Sequence, residues 1–281
     1  MIIVATNVMK WKRLKSLQTC DKILSSLAIS RGLYFLCIII QNTIFLFLPW
    51  LMQNNVLLPI LSILLMFIFY SSLWIATILC VFYCVKIVTY NYKLFVFLKT
   101  RISTIVPWLI QVSLLISLIS SLPFGWQSSG LRVQIALNES IENMTDYREV
   151  VAEIFLSRFL VFALGSYPPF MIFCVANFLL IHFLLMHTRR MRSNASHVQS
   201  PNLQSHFSAL KSMSLFSLLQ IMFLICTSLS MSSKLFFSKF PILIQIILCS
   251  PPTFHSLYMV ASSSELRNIL ILTCLCVFRC S

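Results

Sequence analysis

The sequence predicts an all-α membrane protein, a bundle of seven hydrophobic helices of which the first is incomplete. Three observations carry this. Of 281 residues, 59% are hydrophobic and only 10% are charged, with a mean hydropathy of +0.91; a soluble domain of that length needs far more polar surface. The apolar residues fall in runs long enough to cross ~30 Å of hydrocarbon, which takes about 20 helical residues. Glycines number only four, too few for a turn-rich barrel, and barrel strands are much shorter than these runs.

Taken in order, full spans are expected at 23–48, 56–85, 102–124, 156–186, 209–231 and 240–261. Residues 1–9 precede them as a partial span. Counted to Met9, that segment rises only about 14 Å, roughly half the hydrocarbon core. The whole membrane body is therefore placed at 1–261, with 125–155 as a long external loop and 262–281 as a cytoplasmic tail. Within the tail, 269–278 is too short to cross and is expected to lie along the interface.

Charges orient the set. Lys10, Lys12, Arg13, Lys15 and Lys22 follow the first segment, and Lys86, Lys93, Lys99 and Arg101 follow the third. Arg189, Arg190, Arg192 and Lys211 surround the gap at 187–208, and Arg267 and Arg279 mark the tail. These clusters occupy every second gap, as one cytoplasmic side requires, so the N-terminus is expected outside and the C-terminus inside. Lys234 and Lys239 depart from the pattern. The net charge of +14 is thus explained by topology in a lipid bilayer, and nucleic acid is excluded as a partner because no basic face with interleaved aromatics exists. The apolar start runs into a basic turn without a small-residue cleavage site, so no cleavable signal peptide is expected.

Five of the seven acids (Glu139, Glu142, Asp146, Glu149 and Glu153) lie in the 125–155 loop. The same loop holds two glycosylation sequons, at Asn138 and Asn143, which need an external face to be used. A third, at Asn194, falls on the cytosolic side and is expected to stay bare. None of the ten cysteines falls in an external loop, so no external disulfide is expected. Cys80 and Cys84 read as small core residues, and Cys274, Cys276 and Cys280 as candidates for palmitoylation beside the inner surface.

No catalytic constellation assembles. His182, His187, His197, His206 and His255 have no carboxylate or cysteine set at ligand spacing, and four scattered glycines build no phosphate loop. An enzyme, a metal and a cofactor are not expected. A small-molecule membrane transporter stays open as an alternative, because Pro168-Pro169 and Pro251-Pro252 are potential helix breaks. Against it stand the lack of an internal repeat and Arg31 as the lone ionisable residue deep in a span.

Several ordered motifs go further. Asn7, Trp11, Asp21 and the run Leu27-Ala28-Ile29-Ser30-Arg31 open the chain. Leu73-Trp74-Ile75-Ala76-Thr77 and Val81-Phe82-Tyr83-Cys84-Val85-Lys86-Ile87 mark the third helix. Pro169-Phe170, His187 and Met191 mark the fifth, His206-x-x-Ala209-Leu210-Lys211 opens the sixth, and His255-Ser256 lies in the seventh. In this order and spacing the chain resembles the bitter taste receptors over nearly its whole length after residue 7. It lacks the Asp-Arg-Tyr and Asn-Pro-x-x-Tyr motifs of other receptors of that architecture, as the family does.

The resemblance implies a seven-transmembrane-helix G-protein-coupled receptor in the plasma membrane. It would bind small bitter organic ligands within the bundle and activate a heterotrimeric, gustducin-like G protein. By the same resemblance, ligand contacts fall on Leu65, Phe69, Phe223 and Gln245, and G-protein contacts or the activation lock on Arg31, Tyr83, Lys86, His187 and His206. Asn143 takes the place of the family's glycosylation site. Phe69 and Leu65 stand where several members carry Asn and Trp, and Ser263-Ser264-Glu265-Leu266-Arg267 stands where the family has Asn-x-Lys-Leu-Lys. The family's first helix starts well before the position of Met1, so Arg31 is expected to lack a helix-one neighbour. A pheromone-type chemosensory receptor and a non-functional family remnant remain alternatives, and pairing with itself or another receptor is left open.

Overall fold

The computed structural model describes residues 4, 7, 18–48, 50–51, 56–87, 93–138 and 144–194, with scattered positions between 214 and 228 and position 254. Four long helices account for most of these: α1 (Thr19–Phe47), α2 (Leu57–Ile87), α3 (Lys93–Asn138) and α4 (Met144–Asn194). Each contains a stretch long and apolar enough to cross a membrane: Thr19–Phe47, Leu57–Ile87, Phe97–Gln127 and Leu156–Met186. They coincide with the second to fifth expected spans. α3 and α4 continue well past those stretches, into the segment expected as an external loop. The described positions between Ser214 and Ser228 are helical and lie within the sixth expected span.

The reason for helix is the solvent. In hydrocarbon every backbone group must be satisfied within its own segment, and long runs of Leu, Ile and Phe do that only as helices. Hydroxyls follow the same rule by bonding back along their own helix. Ser25 donates to the Asp21 carbonyl (2.7 Å), Thr43 to Ile39 (2.8 Å) and Ser117 to Ser113 (2.7 Å). α1 starts after Gln18, which is extended and gives no side-chain cap, with Asp21 in the first turn favouring the helix dipole. It ends where the Leu48 N–H reaches the Ile44 carbonyl at 2.9 Å.

α2 is the centre. Two thirds of its most apolar stretch (67%) is buried, against 22% for α1 and α3 and 33% for α4. α1 packs on it antiparallel, since Cys20 meets Tyr83 while Tyr34 meets Phe69. α4 packs on it parallel, since Tyr70, Thr77 and Cys80 of α2 reach the carbonyls of Phe162, Pro169 and Phe173 in the same order. α3 lies between α2 and α4 in sequence and carries the chain back across the bundle.

Two apolar clusters result. One, at the Tyr83 end, gathers Ile23 and Leu27 with Ile75, Leu79, Phe82 and Val85 of α2, Ile102 and Val106 of α3, and Phe173, Ala176, Leu180 and Leu184 of α4. The other, at the Tyr70 end, gathers Met66, Phe69, Tyr70, Phe124, Phe162 and Leu224. Large side chains on the outer faces, such as Phe45, Trp108, Leu164 and Phe178, are exposed, as a lipid-facing surface requires.

Candidate functional site

At the Tyr70 end the site is a floor of four rings. Phe69 lies 5.6 Å from Phe162 and 5.4 Å from Tyr70 between ring centroids, and 6.3 Å from Tyr34 of α1. Tyr70 lies 6.4 Å from Phe124 and 6.5 Å from Phe162. These are edge-on and tilted contacts at distances where aromatic pairs attract beyond their buried area. Tyr70, Phe124 and Phe162 are completely buried. The Tyr70 hydroxyl finds the Phe162 carbonyl at 3.5 Å. Gly165 explains how α4 comes so near: a Cβ at that position would stand 2.6 Å from Cζ of Tyr70 and 2.9 Å from its hydroxyl.

Of the ligand-contact residues expected from sequence, Phe69 is part of this floor, and Leu65 stands half-buried one turn away on the same face of α2. Phe223 and Gln245 lie outside the described residues. Leu224, next to Phe223 in sequence, is buried against the floor, so the sixth span borders it. Sequence reasoning missed Tyr70, Phe124, Phe162 and Gly165. One signal was available for Gly165: in a chain with four glycines, one inside an apolar helix suggests a close approach.

Between the two clusters sits Arg31, buried on α1 at 8% exposure, one turn from Leu27 on one side and one from Tyr34 on the other. The first segment reaches α1 through Asn7, also buried. Its Nδ2 donates to the Asp21 carbonyl at 3.1 Å and to the Ser25 hydroxyl at 2.7 Å. The fifth and sixth spans are tied by a buried hydrogen bond from Asn177 Nδ2 to the Ser217 hydroxyl.

At the Tyr83 end, the Tyr83 hydroxyl meets Cys20 Sγ at 3.1 Å, linking the end of α2 to the start of α1. Lys86 is exposed, with its ammonium 5.4 Å from the centre of the Phe82 ring. A cation held over an aromatic face is attracted by the ring's negative quadrupole and still presents its charge outward. His187 lies in the last turns of α4, with its side chain outside the described residues; His206 lies outside them altogether. Asn138 is the last residue of α3, and Asn143 lies outside the described residues.

This chemistry has one apolar aromatic end, one basic end and, among the described residues, no group of acids, histidines and cysteines able to hold a metal. A family model described as Taste receptor protein (TAS2R) matches residues 1–278. The chain belongs to the bitter taste receptor family. It is 33% identical to mouse taste receptor type 2 member 39 over 273 residues, which covers 95% of this chain and 84% of that protein. It is 30% identical to human taste receptor type 2 member 9 over 272 residues, covering 95% and 85%. Orangutan (Pongo pygmaeus) taste receptor type 2 member 8 is 27% identical over 282 residues, covering 97% and 90%.

As a bitter taste receptor family member, the protein is a multi-pass seven-helix G-protein-coupled receptor, in a receptor class and not an enzyme class. Its α1 to α4 are then the second to fifth helices, and the central α2 is the third.

Proposed function

We propose that this chain is a receptor for small bitter organic compounds that activates a heterotrimeric, gustducin-like G protein. The observation that carries this reading is the family match along residues 1–278. The bundle supports it with an aromatic floor at one end of α2 and Tyr83 and Lys86 at the other. In this reading the N-terminus and the Tyr70 end face outward, and the C-terminus and Tyr83 end face the cytosol, at the plasma membrane. Leu65, Phe69, Phe223 and Gln245 contact the ligand. Arg31, Tyr83, Lys86, His187 and His206 hold the resting state or meet the G protein, and Asn143 and Asn138 carry sugar.

The physics asks little of the site. Bitter compounds are small, amphiphilic and varied, so aromatic walls with a few polar groups admit many of them weakly. An agonist shifts the helices only by its differential affinity for the active arrangement. The decisive experiment is calcium release in cells co-expressing the chain with a gustducin-like chimeric G protein, challenged with a bitter-compound panel. A dose-dependent response that requires the chimera is expected. Silence with surface expression confirmed overturns the reading.

A further inference from the structure

Arg158 has no task in the reading above. It lies near the start of the apolar stretch Leu156–Met186. The lipid-facing side of α4 is marked there by Leu156, Leu160 and Leu164, spaced four apart and 59%, 51% and 76% exposed. Position 158 is roughly 200° around the helix from both Leu156 and Leu160. It is one turn from Phe162, which is completely buried in the aromatic floor. Arg158 accordingly faces the bundle: it is only partly exposed, and its Nε is buried with no hydrogen-bond partner among the described residues.

A guanidinium that turns toward a helix bundle and leaves a buried N–H unpaired is costly unless an acceptor meets it. The acids of its own helix are badly placed for that. Positions 146, 149 and 153 of α4 fall roughly 120° to 180° around the helix from position 158, at about 100° per residue. Asp21, the one acid with a described side chain, belongs to the Tyr83 end.

A second polar side chain reaches the same level. Gln127 follows Phe124 by three residues on α3, is partly buried, and has an Oε1 with no hydrogen-bond partner among the described residues. Phe124 and Phe162 flank Tyr70 at nearly equal distances, 6.4 and 6.5 Å. The turns just beyond them, which carry Gln127 and Arg158, therefore lie at the same end of the bundle, next to one floor. The Gln127 amide can present either its donor or its acceptor end to a guest.

We propose that Arg158 and Gln127 form the polar head of a ligand subsite above the Phe69, Tyr70, Phe124 and Phe162 rings, selective for anionic amphiphiles. The ligand class is an organic carboxylate or sulfonate on an aromatic or alkyl body. The inference rests on the bitter-receptor reading and narrows its ligand class. The planar guanidinium fork matches the two oxygens of such a group.

The test uses matched pairs of aromatic carboxylic acids and their methyl esters. Each pair is run in the calcium assay and in a thermal-shift assay on the purified full chain in uncharged detergent. The acids are expected to act at concentrations at least tenfold lower than the esters. Arg158→Gln should abolish that preference while leaving ester responses within about twofold, and Arg158→Lys, which keeps charge without the fork, should retain part of it. Equal potency of acid and ester on the unmodified chain overturns the proposal, as does an Arg158→Gln variant that weakens both alike. Should Arg158→Gln fail to reach the surface, the acid-to-ester ratio of the unmodified chain decides alone. An equal shift from a phosphate-headed lipid would assign Arg158 to the bilayer and overturn the subsite. Acid-induced thermal shifts without calcium release would uphold the subsite and overturn the coupling. Calcium responses that show no preference for acids would do the reverse.

Discussion

Thr77 Oγ1 donates to the backbone carbonyl of Pro169 at 3.0 Å while lying 2.9 Å from the Leu73 carbonyl of its own helix. With Tyr70 to Phe162 and Cys80 to Phe173, it is the middle rung of a ladder between two helices running the same way. Parallel neighbours need an intervening crossing, which α3 supplies, so the rung records the topology of the bundle. The energy of the rung is modest, because interhelical hydrogen bonds in membranes are worth about 0.6 kcal/mol on average. Thr77→Val, which keeps the shape, should lower stability by roughly that amount, about 0.5 to 1 kcal/mol, read as a small drop in Tm of the purified protein. A loss several times larger would mean that the hydroxyl also supports the helix at Pro168 and Pro169.

Gly165 and Tyr70 form a tight helix contact at the aromatic floor. Gly165→Ala drives a methyl group into a ring that has no room to retreat, an overpacking that costs about 1 to 3 kcal/mol. Shrinking the ring in Tyr70→Leu should restore part of the loss in the double variant. A double-mutant cycle on Tm checks this, with a coupling near zero as the contrary result.

Asn7 joins the first segment to α1 by two hydrogen bonds. Asn7→Ala leaves the Ser25 hydroxyl its back-bond to Asp21 but removes both interhelical bonds. The expected cost is about 1 to 2 kcal/mol, seen as reduced surface expression and Tm, with Asn7→Gln recovering less than half because its longer side chain overshoots.

Lys86 tests the inner face of the proposed receptor. Lys86→Glu reverses an exposed charge that sits over Phe82 and touches none of the aromatic floor. Agonist-induced thermal shifts should be unchanged, while calcium release falls several-fold or more, since charge complementarity governs docking of a partner. Equal losses in both assays would remove Lys86 from the coupling surface.

Orientation is checked by sugar. Glycosidase treatment of the expressed protein should shift its mobility, and Asn143→Gln should remove most of that shift, with Asn138→Gln removing any remainder. Asn194→Gln should change nothing. Sugar on Asn194 would invert the topology.

The all-α membrane class was legible in the sequence because hydrocarbon leaves a long apolar run no alternative to helix. Family membership was legible in the order of motifs, from Leu27–Arg31 through Tyr83–Lys86 to His255-Ser256. Periodicity could not say which helix lies at the centre, since a helix that is apolar all round shows no preferred face, and the apolar stretches of all four helices are about equally hydrophobic. The chain alone therefore determined what crosses the membrane and to which family it belongs. Only tertiary structure decided that Tyr70, Phe124 and Phe162 share one floor and that Thr77 reaches Pro169. Those contacts join residues up to 92 positions apart, and their geometry depends on which helices pack and in which direction, information that no local pattern carries.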